Sequence, residues 1–256
     1  MLYTVAKNFV KEKFEKVNGV IGVLLIGSAS LGYVDDLSDI DLKVLVTDDL
    51  CRKMGDVCGS AQYCEVNVWW EFVTLNELEN TLKDWKDDVD LWVYSKSRIL
   101  HDSEHKVKTL LANYRQYPKT IWLEKLFVYW YSATGNAPYD SGKAIQRGDL
   151  LTAQLYLSQA TEYYTSLIFI LNHRFVPYRK WRLKELNNVA YKPENYEEKL
   201  RKILTVQNWT KEEFEAKQHI INELVVDLEK KLLESGVQED KLKNPWKYKV
   251  SYMPRV

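Results

Sequence analysis

The apolar residues of this 256-residue chain change their spacing once, near Glu104, and that change constrains the fold more than any other feature. Before it, apolar residues come in short, β-branched runs. Residues 20–26 read as a buried strand, 40–46 and 63–70 as a second and third, and Ile99-Leu100 as the core of a fourth. Val5, Phe9, Val10, Phe14 and Val17 recur at helical spacing and predict a helix over 2–17. Residues 75–82 and 48–58 predict two more helices, and 27–38 reads as a loop with room for a helical turn. After Glu104 helical spacing continues almost to Gly236, with candidate helices at 104–114, 119–133, 149–173, 178–188, 194–204 and 210–235. Pro118 and Pro177 stand where helices would start, and Thr210 with Glu213 has capping-box spacing. The tail after Gly236 reads as irregular. The expected fold class is α+β: a mixed β-sheet domain over 1–104, then an all-α helical bundle domain over 105–256.

Composition narrows the function. With 46% hydrophobic and 28% charged residues, the chain can bury a core without disulfides or structural metal. Cys51, Cys58 and Cys64 are odd in number and lack Cys-x-x-Cys spacing, which argues against a disulfide framework or a zinc knuckle. No apolar run approaches the roughly 18 residues of a membrane span, and the first residues lack a signal-peptide core, so the chain reads as cytoplasmic with no membrane partner. Charge is uneven: 11 Lys+Arg against 19 Asp+Glu over 1–104, then 25 against 17 over 105–256. An acidic half suits divalent metal and a basic half suits phosphate; two solvated faces of opposite bias would look the same.

The most informative stretch runs from Gly27-Ser28 to Asp39-Ile40-Asp41. Strand alternation puts Asp39, Asp41 and Lys43 on one face and Ile40, Leu42, Val44 and Val46 on the other. Two carboxylates at i and i+2 repel unless a hard cation lies between them. Gly27 allows close approach of the backbone to a ligand, and Ser28 offers a hydroxyl and an N–H to a phosphate oxygen. On the third expected strand Glu65 and Asn67 share a face, so Glu65 is expected to complete a three-carboxylate cluster for two Mg²⁺ ions, with Glu71 and Asp90 as alternatives. Trp69, on the same face, is expected to stack on a base or an acceptor ring. Ser30 and Lys43 read either as phosphate or metal contacts or as polar surface. In the helical half, Lys143, Arg174 and Lys180 are candidate triphosphate contacts. Arg174 and Lys180 sit with Arg179 and Arg182 around Tyr178 and Trp181, which is equally the pattern of a basic, solvated helix corner. Asp149 reads first as a helix cap.

The segment GSASLGYVDDLSDIDLKVLV resembles the nucleotidyltransferase superfamily of the DNA polymerase β type. Over residues 20–102 it looks like the minimal bacterial members that adenylylate aminoglycoside or lincosamide antibiotics. The helical half, through Gln146-Arg147-Gly148-Asp149 and residues 174–181, resembles an uncharacterised bacterial branch with a domain of unknown function. The resemblance implies that Asp39 and Asp41 bind Mg²⁺ with Glu65 as third ligand and candidate base. Gly27 and Ser28 would cradle the β- and γ-phosphates of ATP or another nucleoside triphosphate. A hydroxyl of a small-molecule acceptor would attack the α-phosphorus, with pyrophosphate leaving, in a cleft between the two domains. The alternatives are a non-catalytic nucleotide-binding sensor or partner subunit, and a protein- or RNA-directed transferase. A nucleic-acid acceptor ranks below a small molecule, because no RNA-binding signature is present and the pI is near 6.9. A homodimer is compatible with the resemblance.

Overall fold

A computed structural model describes residues 2–55 and 57–250, apart from the side chains of 136 and 137. The chain forms two compact units, 1–115 and 116–256. In the first, α1 (Leu2–Lys13), β1 (Val20–Ile26), α2 (Gly27–Leu31), β2 (Ile40–Val46) and α3 (Asp48–Met54) are followed by the hairpin β3 (Cys58–Tyr63) and β4 (Val66–Thr74). Then come α4 (Leu75–Asp84), α5 (Asp88–Lys96), β5 (Arg98–Asp102) and α6 (Lys106–Ala112). The five strands make one mixed sheet in the order β3-β4-β2-β1-β5, with β2 and β4 parallel and every other pair antiparallel.

One face of this sheet is the core. Val23, Leu25, Ile40, Leu42, Val44, Val46, Val68, Trp70 and Phe72 pack there under α1. Phe14, just past the end of α1, meets Trp70 and Phe72 edge-on at 5.7 and 6.1 Å. On the opposite face Gly22 lies under α6, where a β-carbon would come within 2.6 Å of Val107 Cγ2. Helix α6 has no cap of its own at His105; the Asp102 carboxylate at the end of β5 accepts from the N–H groups of Val107 and Lys108 at 3.3 and 2.9 Å.

The structure corrects the third expected strand. Residues 63–70 are not one strand: Cys64 and Glu65 form the two-residue turn of the β3–β4 hairpin, with φ of 49° and 65°. The ladder closes at Tyr63 and Val66, so Glu65 sits at the tip of a turn rather than beside Asn67 on a strand face. The expected fourth strand around Ile99-Leu100 is the fifth, and α5 had no counterpart among the sequence-derived elements.

The second unit is helical: α7 (Lys119–Thr134), a π-helical turn (Gly135–Asp140), α8 (Ser141–Gln146), α9 (Leu150–Leu171), α10 (Arg179–Glu185), α11 (Tyr196–Leu204), α12 (Lys211–Glu234) and α13 (Glu239–Lys243). α13 and a 3-10 turn at Pro245–Lys247 occupy part of the tail expected to be irregular. Helices α7 and α9 pack together and α12 crosses both. Their aromatic residues bring polar atoms inside, and several of these find partners, although the Tyr164 hydroxyl does not among the described residues. Trp122 Nε1 donates to the Ile170 carbonyl at 2.7 Å, and the Thr165 and Tyr196 hydroxyls lie 2.9 Å apart. Asp149 caps α9, accepting from the Thr152 N–H at 3.1 Å; that hydrogen bonding holds its carboxyl below its ordinary pKa. The expected capping box at Thr210 is half formed. Thr210 accepts from the Glu213 N–H at 3.4 Å, but the Glu213 carboxylate accepts from Gln207 and Asn208 instead of reaching back. The complete box is at Thr74 and Glu77, opening α4.

Trp130 Nε1 donates to Glu229 Oε1 at 3.2 Å, and burial pushes the Glu229 carboxyl above its ordinary pKa despite that bond. The folded chain therefore favours the protonated form. The stability this contributes is complete below the ordinary carboxylate range and is lost as pH rises through the raised value. Glu229→Gln keeps the acceptor oxygen and removes the charge. Its melting temperature is expected to exceed that of the wild type by a margin that widens from about pH 4 to about pH 7. A constant margin across that range would refute the assignment.

Candidate functional site

Strand β1 ends where Ile26 pairs with Asp41 of β2, and the chain turns at once into α2. The turn depends on Gly27, whose φ of +69° is in the left-handed region. A second constraint falls on the same atom. A β-carbon at Gly27 would overlap Asp41 Oδ2 and lie 3.3 Å from Asp41 Cγ. The Asp41 carboxylate thus rests directly over the Gly27 α-carbon. Ser28 and Ser30 follow, 6% and 5% exposed, and Ser30 Oγ donates to the Gly27 carbonyl at 2.9 Å. Ser30 is therefore engaged in holding the turn. The short helix stops at Gly32, whose N–H bonds the Ser28 carbonyl.

The loop back to β2 is closed by its own side chains. Ser38 Oγ donates to Asp35 Oδ1 at 2.8 Å and accepts from the Asp35 N–H at 2.9 Å. Leu37 at its tip is 94% exposed. Asp39 follows Ser38 and immediately precedes β2. Along β2 the burial alternates as expected at its start: Ile40, Leu42 and Val44 are buried, while Asp41 and Lys43 are half-buried.

Parallel pairing with β4 sets the neighbours of Asp41. Its partner in register is Trp69, and the next rung on the same face pairs Lys43 with Glu71. Trp69 is 52% exposed and stands opposite Ser60 of β3. Lys43 Nζ lies 2.5 Å from Glu71 Oε2, so this lysine is held by a carboxylate. Close by, burial and then the negative charges of Asp90 and Glu71 push the Tyr94 hydroxyl well above its ordinary pKa.

Among the described residues no three His, Cys, Asp or Glu side chains converge on one ion position. The expected trio of Asp39, Asp41 and Glu65 is therefore not assembled, because the hairpin turn carries Glu65 away from the strand face. The acid that does stand on β4 is Glu71, and the continued alternation Asn67, Trp69, Glu71 is the signal for it.

The basic candidates lie in the second unit. Lys143 Nζ sits 3.8 Å above the Tyr139 ring. Lys180 lies 5.9 and 5.4 Å from the Tyr178 and Trp181 rings, and Arg174 is exposed in the connection between α9 and α10. Arg179 grips both carboxylate oxygens of Glu162. Arg182 is 4% exposed; its Nε donates to the Pro177 carbonyl at 3.3 Å, and burial lowers its pKa.

Gly27→Ala introduces both backbone strain and an overlap with Asp41. Denaturant unfolding is expected to show a loss of about 1–3 kcal/mol. In a cycle with Asp41→Ala, the overlap vanishes and the strain stays, so a coupling of roughly 1 kcal/mol is expected between the two sites. Additive effects would show that the carboxylate does not occupy this position.

A family described as a domain of unknown function (DUF4037) matches residues 86–182, which reach from α5 into α10. No curated protein matches the sequence. Among solved structures, a nucleotidyltransferase-like protein from Exiguobacterium sibiricum superposes over 92% of this chain and 77% of its own, with a TM-score of 0.53 at 14% identity. That likeness is one of fold. No helix among the described residues is long and apolar enough to cross a membrane.

Proposed function

We propose that the chain transfers a nucleoside monophosphate from ATP or another nucleoside triphosphate to a hydroxyl of a small-molecule acceptor and releases pyrophosphate. One observation carries this reading: the Asp41 carboxylate is packed over Gly27, so the Gly-Ser turn and the Asp-x-Asp strand meet at one corner of the sheet. The nucleotidyltransferase-like fold of the Exiguobacterium protein supports it as an analogy.

The donor set suits one Mg²⁺. That ion favours one or two carboxylates completed by substrate phosphates and water, which matches Asp39 and Asp41. When bound it would neutralise charge on the triphosphate. The missing β-carbon of Gly27 leaves room for the Asp41 carboxylate itself, which brings that carboxylate against the start of α2. Ser28 follows with a hydroxyl and an N–H. Trp69, exposed beside Asp41 on the same face, offers a ring on which a base can stack. Positioning and charge neutralisation then do most of the work, as in other phosphoryl chemistry.

A second reading is favoured by a specific feature. The β4 residue level with Asp41 is Trp69, where the three-acid arrangement would want a carboxylate. A relative that binds nucleotide without turning it over would have no need of one. Pyrophosphate release from each nucleoside triphosphate with Mg²⁺, across a panel of hydroxylated acceptors including aminoglycosides and lincosamides, separates the two. Acceptor-dependent release should fall at least about a hundredfold in Asp41→Asn, with an unchanged circular dichroism spectrum. Saturable nucleotide binding with no release from any acceptor of the panel would leave the non-catalytic reading and a protein or RNA acceptor.

A further inference from the structure

The first unit holds a cavity of about 400 Å³ whose lining shares no residue with the Gly27–Asp41 corner. Leu82 of α4, Leu91 of α5, Ile99 of β5 and Leu111 of α6 give it an apolar floor. The size falls within the range of small-molecule sites, roughly 300–1,000 Å³. Its walls are braced: Tyr94 is 7% exposed, and the Tyr114 ring lies against Trp85 at 5.4 Å.

The charge on this cavity has one sign. Its lining includes Lys108 and Arg115 and no acidic residue. Among the described residues neither cation has an anionic partner, whereas Lys83, Lys86 and Lys106 of the same unit pair with Glu79, Asp84 and Glu104. The two lining serines do not supply donors. Ser95 Oγ donates to the Trp92 carbonyl and Ser97 Oγ to the Tyr94 carbonyl, each at 2.7 Å. Recognition of a charged group there rests on Lys108 and Arg115.

We propose that this cavity binds a small amphipathic anion, with an aliphatic or aromatic body over the leucines and a carboxylate or phosphate held by Lys108 and Arg115. Burial of the apolar body supplies affinity and the charge-assisted hydrogen bonds supply selectivity. The site is independent of nucleotidyl transfer and stands whether or not the chain is an enzyme.

Calorimetric titration of the full chain with four probes of one chain length tests it: octanoate, octyl phosphate, octanol and octylammonium. At least one anion is expected to bind at least tenfold tighter than octanol and octylammonium, and the better anion identifies carboxylate or phosphate as the headgroup. Lys108→Gln/Arg115→Gln, two exposed positions, should lose tenfold or more for that anion while its melting temperature stays unchanged. Leu111→Trp, which fills the floor, should abolish binding. The proposal is overturned if neither anion binds, if octanol or octylammonium binds as tightly as the better anion, or if the charge-removing variant keeps full affinity.

Discussion

Strand β2 is paired on both sides, antiparallel to β1 and parallel to β4, and its register decides where every charged group of the sheet goes. Ile40 and Val44 are fully buried, and Leu42 nearly so, against the α1 face. Slipping the strand by one residue would turn Asp41 and Lys43 into that core and Leu42 out of it. Burying a carboxylate and an ammonium without partners costs several kcal/mol each, more than a rung of the ladder returns. The register is thus fixed by the core, and the core in turn places Asp41. Because Ile26 is its partner on β1, the next residue in the chain, Gly27, must pass directly beneath the carboxylate. Glycine is required there by its neighbour across the sheet as much as by its own backbone angle.

The helical unit solves a different problem. Helices α7 and α9 carry more aromatic and polar surface inward than an aliphatic bundle would, and stability depends on matching each buried polar atom. The Asn172 side chain shows how this is done: Nδ2 donates to the Tyr191 carbonyl at 2.7 Å and Oδ1 accepts the Tyr191 N–H at 2.8 Å, tying the end of α9 to the segment before α11. Arg182 is less completely served. One of its guanidinium nitrogens, Nη1, is buried without a partner among the described residues. Such a group is held at a cost of about 1–3 kcal/mol, which the aliphatic stem and the packing around it must offset.

Much of this was legible in the residues. β1 and β2 are legible at their observed limits because continuous β-branched runs between turn residues have few other uses, and α7, α9, α11 and α12 to within two residues because of their apolar spacing. Asp149 was readable as a cap from its place before an apolar run. Glu65 was not readable. A two-residue turn with positive φ at both positions normally announces itself with Asn or Gly, and Cys64-Glu65 carries neither. Without that mark the β3–β4 hairpin reads as one strand, and the acid at its tip as part of a strand face. Helix α5 was missed for a related reason. It is bounded by Asp87-Asp88 at one end and runs straight into β5 at the other, so no apolar stripe separates it from its neighbours.

The rung between Lys43 and Glu71 bears on the chemistry of the open face. Lys43 is two residues from Asp41 on the same face, close enough for an uncommitted ammonium to neutralise the aspartates and compete with any cation. Its bond to Glu71 removes that competition: the lysine charge is spent across the β2–β4 ladder. The acid of β4 thus engages Lys43, and Trp69 takes the position level with Asp41. The acids at this corner are Asp39, just before β2, and Asp41, the second residue of the strand. Under the function proposed above, such a pair would take one ion shared with a phosphate chain rather than two ions held by the protein alone.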